Sequence, residues 1–364
     1  MEPPLLIEQG DTITPNPNLS SFVHPFSFTK NTNRKRVFCF GGSTTLGVPF
    51  EKDQKITFPG QLEKFLSASG EEVEVINLGG ASFGSDHVLA LGLEALQYEP
   101  DFFVIYSGNN EFFNHIINLE QSNQNWTYQP QPTFHLLAYF QMFLFSKTAR
   151  EIQQTQQERW NTLLQAHIQN SEDVDEINRR RNDSIQNAVI TRYIRNLREL
   201  NKSAHNKNVP IIFVVVPSNL YTPPAISIHS PTLSSTQKWE AELSLIDIEN
   251  PSCQIKLDIL TKQNPWHAYA WYQKARCAQN HNEPHQQDRV AALNLDMLPG
   301  RPNQIMNEHL LKSEFPLFLF EPKPEDFHDS CHLSQSGYQT LAKGISAEIV
   351  SQWNFSQQKI LQSP

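Results

Sequence analysis

Apolar and polar positions along this chain fall into two alternating periods. Five short apolar runs are bounded by turn residues: Arg36 to Phe40, Glu72 to Asn77, Asp101 to Gly108, Val209 to Pro217 and Phe315 to Phe320. Their length and their β-branched and aromatic content predict strands. The third is apolar almost throughout, as parallel strands covered on both faces tend to be. Between the runs, apolar residues recur at helical spacing. They are Phe58, Leu62, Phe65 and Leu66, then Val88, Leu91 and Leu96, then Ile185, Val189, Leu197 and Leu200, and last Tyr338, Leu341, Ile345 and Ile349. This order predicts an α/β protein, a three-layer α/β/α sandwich around a mainly parallel five-stranded sheet with right-handed crossovers. In such sheets ligands bind beyond the carboxyl ends of the strands. The residues to watch are therefore those just after Phe40, Asn77, Tyr106 and Phe320.

Segments without this pattern divide the chain. Residues 1–34 are rich in Pro, Asn and Ser and read as an extended arm. The main domain takes 35–222 and 313–355, with a Gln- and Asn-rich helical excursion at about 120–182. Residues 223–312 hold helices and no convincing strand, which marks an inserted helical subdomain. Within it, two amphipathic helices meet at a loop around Asn280 to Pro284, and Trp271, Tyr272, Ala275 and Ala291 have a repeat-like look. One such pair cannot form a free-standing solenoid, so it should pack on the main domain. No run reaches the ~18 apolar residues of a membrane span. His135 to Phe145 is the nearest and reads as a core helix. The start lacks the basic and apolar regions of a signal peptide, which makes the chain cytoplasmic as written.

Composition narrows the chemistry. The 364 residues carry a formal net charge of -9, so no basic field exists to neutralise nucleic-acid phosphates. Four cysteines, Cys39, Cys253, Cys277 and Cys331, are too few and too scattered for a disulfide framework. Cys39 lies in a predicted strand and reads as a core residue. His328, Cys331 and His332 crowd one loop and cannot complete a tetrahedral metal site without distant partners. Cys277, His281 and His285 follow helical spacing, but Pro284 breaks the helix. Neither a metal nor a cofactor is expected.

The stretch after the first strand, Gly41-Gly-Ser-Thr-Thr-Leu-Gly47, admits several readings. As a phosphate loop it lacks the lysine, since Val48 stands in that place. As a nucleophile elbow it has Thr45 where the second glycine belongs. Ser43 could also be only a helix N-cap. A further reading comes from the other strand ends. "INLGGASFG" follows the second strand, Gly108-Asn109-Asn110-Glu111 the third, and Asp329-x-x-His332 with Gly337 the fifth. Together these four blocks resemble the SGNH (GDSL-type) hydrolase superfamily, serine enzymes of ester cleavage and acyl transfer with a flavodoxin-like fold. "YSGNNEF", "VVVPSNL" and "AALNLDMLPGRPN" are similar to a subgroup with an inserted tetratricopeptide-like segment. The resemblance spans roughly Asn31 to Trp353.

It implies a serine hydrolase acting on an acyl ester, a carbohydrate deacetylase among the options. Ser43 would be the nucleophile, His332 its base and Asp329 the residue orienting His332. The oxyanion hole would comprise the backbone N–H of Ser43, that of Ser82 and the side-chain amide of Asn110. Two positions depart from the blocks: Gly42 replaces an aspartate, and Ser82 stands where a glycine is expected. Those departures keep open a catalytically silent binding protein, with the helical insertion contacting a partner. Acyl transfer to a saccharide is the other alternative, for which Tyr221, Trp239 and Trp266 could form an acceptor wall. Relatives in the subgroup often carry an anchor upstream of the segment resembling the arm, which would make the protein extracytoplasmic.

Overall fold

The computed structural model describes residues 5–16, 25–31, 33–112, 184–225, 227–230, 232–296 and 300–362. The helical excursion at 120–182 and the apolar run at 135–145 lie outside them. Three short strands, β1 (Leu6–Gln9), β2 (Thr12–Pro15) and β3 (Phe26–Ser27), form an antiparallel sheet. The arm, which shows no sustained periodicity in sequence, is thus partly a sheet. Its apolar contacts are single residues, Leu6, Ile13 and Phe26, too sparse to make a pattern.

The main sheet comprises β4 (Lys35–Gly41), β5 (Val73–Gly79), β6 (Phe102–Tyr106), β7 (Ile211–Val215) and β8 (Leu317–Leu319). The five strands run parallel in the order β5-β4-β6-β7-β8. The period of two sends alternate side chains to opposite faces. Phe38, Phe40, Phe103, Ile105, Ile211 and Phe213 enter one core, whereas Val37, Cys39, Val104, Tyr106, Ile212 and Val214 enter the other.

Helices cover both faces. After the single turn α1 (Ser43–Leu46) come α2 (Phe58–Ala68), α3 (Ser85–Ala95) and α4 (Ser184–Asn206). They are followed by α5 (Thr236–Ser244), α6 (Cys253–Gln263), α7 (Ala268–Asn280), α8 (Gln286–Leu295), α9 (Gln304–Leu311) and α10 (Gln335–Gln362). Val88 and Leu91 of α3 and Val189, Leu197 and Leu200 of α4 fill the first core. Phe58, Leu62 and Leu66 of α2 fill the second, with Tyr338, Leu341, Ile345 and Ile349 of α10. The three-layer α/β/α sandwich read from the sequence is the fold observed. No helix among the described residues is long and apolar enough to cross a membrane.

Helices α5 to α7 carry two small cores of their own. Trp239, Leu260 and Ala270 make one, and Cys253, Leu257 and Cys277 the other. Cys253 and Cys277 are joined in a disulfide between α6 and α7. Sequence spacing alone did not mark this bridge, because residues 24 apart meet only once two helices pack antiparallel. The next helix, α9, returns to the sandwich, with Met306 and Leu310 in the first core.

Candidate active site

Parallel register brings the strand ends level. Gly41 pairs with Gly79 on one side and with Tyr106 on the other. The loops that follow β4, β5 and β6 therefore leave the sheet side by side. Hydrogen bonds tie them together. Thr45 donates its hydroxyl proton to the Tyr106 carbonyl at 2.8 Å, and the Asn109 amide donates to Thr44 Oγ1 at 3.2 Å. The Gly80 N–H reaches the Gly41 carbonyl at 3.1 Å.

Ser43 opens α1, and the N-cap position belongs to Gly42, with no side-chain capping bond. The reading of Ser43 as a simple helix cap is thereby removed. Its half-buried hydroxyl lies 2.8 Å from Nε2 of His332, a residue 289 positions away. His332 Nδ1 lies 2.7 Å from Asp329 Oδ2. With the Nδ1 proton on that bond, Nε2 is left to accept from Ser43, the arrangement a serine nucleophile needs.

The loop carrying Asp329 and His332 is braced from within and from outside. Asp329 Oδ1 accepts the backbone N–H groups of Cys331 at 2.9 Å and His332 at 2.7 Å. A bridge between Phe327 and Leu333 closes the base of the loop. From the turn after β7, the Asn219 N–H donates to the Ser330 carbonyl at 3.0 Å, and its amide to the Asp329 carbonyl at 2.9 Å. Asn219 is in turn held by the buried guanidinium of Arg301, which donates to the Asn219 carbonyl and to Thr222. Asn219 and Arg301 sit in "VVVPSNL" and "LPGRPN", stretches that the sequence marks only as resembling a subgroup.

Charge is concentrated here. Burial works against the Asp329 carboxylate, but the hydrogen bond and charge of His332 and two backbone N–H groups outweigh it and hold Asp329 at about 2. Burial also disfavours a charged His332. The Cys331 sulfur, 3.6 Å from Nδ1, and the Asp329 carboxylate together overcome that, so the imidazole stands well above its ordinary value.

Of the predicted oxyanion donors, Asn110 lies beside the Gly42–Ser43 loop, its Nδ2 2.6 Å from where a Cβ on Gly42 would stand. Asn110 is half-buried and gives one amide proton to the Phe83 carbonyl at 3.0 Å, leaving the second N–H of its NH₂ group. Ser43 is the first helical residue, whose N–H has no partner within its own helix. Ser82 has φ +59°, the left-handed region that favours glycine. The glycine expected there thus corresponds to a backbone conformation that serine adopts at some cost. Gly42 is explained by crowding. A Cβ on Gly42 would lie 2.6 Å from Asn110 Nδ2 and 3.1 Å from the Phe83 carbonyl.

Other sequence readings fall elsewhere. Trp239 is buried, donates its indole N–H to the Leu260 carbonyl at 3.2 Å and belongs to a small core rather than an acceptor wall. Tyr221 is half exposed and lies over Arg289, 4.0 Å from the guanidinium to the ring centroid. Three groups of side chains bring metal-ligating atoms together among the described residues. Cys253 and Cys277, near His281, are consumed by their disulfide. The His229–Glu240–His267 group is set by tautomers. Asn264, whose Oδ1 accepts from Ser230 N–H, presents its NH₂ to His229 Nδ1, and Ala270 N–H points at His267 Nδ1. Both rings therefore carry their proton on Nε2, where a metal would have to bind. The third group, Asp329, Cys331 and His332, is the loop described above, with Asp329 and His332 bonded to each other.

Searches against protein-family models and against curated proteins find no match. Solved structures do resemble the chain. A GDSL-like lipase from Bacteroides thetaiotaomicron aligns over 87% of this chain and 88% of its own, with TM-score 0.34 and 11% identity. An acetyl xylan esterase aligns over 86% and 99%, with TM-score 0.32 and 12% identity. A lipase/acylhydrolase from Enterococcus faecalis aligns over 87% and 96%, with TM-score 0.31 and 16% identity. At these identities and TM-scores the likenesses carry no argument, and what is said of Ser43, Asp329 and His332 rests on their geometry.

Proposed function

We propose that this protein is a serine hydrolase of the SGNH type that cleaves an acyl ester. One observation carries the reading: the continuous contact from Ser43 Oγ through His332 to Asp329, at 2.8 and 2.7 Å, among residues from opposite ends of the chain. No packing requirement calls for a hydroxyl, an imidazole and a carboxylate in line at the carboxyl edge of a sheet.

In this mechanism Ser43 Oγ attacks the ester carbonyl carbon while its proton passes to His332 Nε2. Asp329 stabilises the imidazolium and keeps its Nδ1 proton aimed. Negative charge developing on the carbonyl oxygen meets the N–H of Ser43, the N–H of Ser82 and the Asn110 amide. Each preorganised donor of this kind contributes about 10²–10³ in rate. The tetrahedral intermediate collapses, the alcohol leaves with the proton from His332, and water attacks the acyl-serine by the same route. The departures at Gly42 and Ser82 fit this mechanism: the first leaves room for Asn110, and the second retains the backbone conformation of the glycine it replaces.

The test is labelling of the purified protein with a fluorophosphonate probe, alongside turnover of p-nitrophenyl acetate. Wild type should be labelled at Ser43 and should turn over the ester. Ser43→Ala should abolish labelling and lower kcat at least ~10³-fold. An unlabelled, inactive wild type would overturn the hydrolase reading and favour a binding protein on this fold.

A further inference from the structure

Block three ends in a carboxylate that the mechanism does not use. Glu111 is 6% exposed, and its two oxygens grip one residue of another loop. Oε1 accepts the Ser85 N–H at 2.7 Å, and Oε2 accepts the Ser85 hydroxyl at 2.8 Å. Ser85 is the first residue of α3, three positions beyond Ser82. Behind it, the Asn196 amide of α4 donates to Ser85 Oγ at 3.0 Å and to Asp86 Oδ1 at 2.9 Å, and Arg192 pairs with Asp86.

We propose that Glu111 is a positioning residue for the oxyanion hole: by clamping Ser85 it fixes the turn that carries Ser82 against Asn110. The argument is one of connectivity. Asn110 is held to the turn through Phe83, and the adjacent Glu111 is held to it through Ser85. Two neighbouring residues of one loop thus span the other loop at two points, and a donor pair drawn from different loops keeps its separation. Without the second clamp, the Asn110–Phe83 bond alone would have to define that separation. This proposal rests on the hydrolase reading above.

The clamp is indifferent to charge. Burial raises Glu111 to about 7, against the Ser85 hydrogen bonds and with Asp86 and Arg192 acting in opposite senses. A protonated Glu111 still accepts the N–H through its carbonyl oxygen, and its O–H can donate to Ser85 Oγ, which has a lone pair to spare. Glutamine has the same donor and acceptor layout. The sequence signal was present, since Glu111 closes the Gly108-Asn-Asn-Glu block, but its partner in α3 is visible only in three dimensions.

The experiment compares Glu111→Gln, Glu111→Ala and Ser85→Ala with wild type. It uses p-nitrophenyl acetate kinetics and hydrogen–deuterium exchange of the peptide covering residues 80–85. Glu111→Gln should keep kcat within about threefold. Glu111→Ala should lower kcat on the order of 10- to 100-fold, the cost of misplacing reacting groups by an ångström or so, with KM within about twofold. Exchange in residues 80–85 should rise while β6 stays protected. Ser85→Ala, a smaller change, should follow in the same direction even where Glu111→Ala folds poorly. Unchanged kcat in both alanine variants, or equal losses in Glu111→Gln and Glu111→Ala, would overturn the proposal. Should wild type itself lack turnover, the hydrolase reading fails first, and exchange alone then decides whether Glu111 holds the turn.

Discussion

A Cβ on Gly42 would sit 2.6 Å from the amide nitrogen of Asn110 and 3.1 Å from the Phe83 carbonyl, so a side chain at the position that departs from the aspartate of the block would crowd that amide. Restoring the aspartate should therefore harm the site. We expect Gly42→Asp to lower kcat for p-nitrophenyl acetate by about 10²-fold, the scale of losing one oxyanion donor. An increase in kcat would show that Asn110 is not the donor. Ser82 makes the complementary point, since it holds the φ of a glycine at +59°. Single residues of this kind were legible in sequence only as mismatches. The reason for the mismatch at Gly42 is a side chain sixty-eight positions away, which no local pattern contains.

At the scale of elements, the Asp329–His332 loop depends on a support from another part of the fold. The turn after β7 carries Asn219, which makes two hydrogen bonds to that loop and is held by Arg301 just before α9. Asn219→Ala should cost about 1 kcal/mol, the scale of the part-buried side-chain bond to the Asp329 carbonyl that it removes. It should also lower kcat more than it raises KM, and urea denaturation with steady-state kinetics will check both. The bridge between α6 and α7 is a second element-scale feature. For a closed loop of this length the chain-entropy model gives about 3.5 kcal/mol. Treatment with a reductant, or Cys253→Ser, should lower stability by roughly that amount in the same denaturation assay. Intact-mass mapping under non-reducing conditions should find Cys253 linked to Cys277, with Cys39 and Cys331 as thiols. The helices and strands themselves follow from apolar periodicity. The arm's short strands do not, because two to four residues are too few for a period to declare itself.

For the whole molecule, the site couples stability to pH in a direction opposed to its chemistry. Asp329 is depressed from 3.8 to about 2, so its contribution is present above the first value and lost as pH falls through the second. His332 is raised above 6.5, so its contribution is complete below that value and is lost as pH rises through the higher, folded value. The pair stabilises the fold most between about pH 4 and 6.5. A general base must instead be neutral. Hydrolysis should accordingly rise with pH along a limb lying above 6.5. The Tm difference between wild type and His332→Gln should be largest between pH 4 and 6.5 and shrink above it. Thermal melts and a pH–rate profile on the same preparations will test this, and an acid limb below 6.5 would contradict it.

By itself the sequence determined the class of fold, the number and direction of the central strands, and the identity of Ser43, Asn110, Asp329 and His332 as candidates. Those properties are written locally, in side-chain period and in short blocks that terminate strands. The tertiary structure alone decided that Ser43 and His332 touch, that Gly42 makes room for Asn110, that Asn219 and Arg301 support the Asp329 loop, and that Glu111 grips Ser85. Each of these is a contact between segments far apart in sequence, set by the register of parallel strands. A one-dimensional pattern records which residues could meet, and only the packed sheet fixes which do.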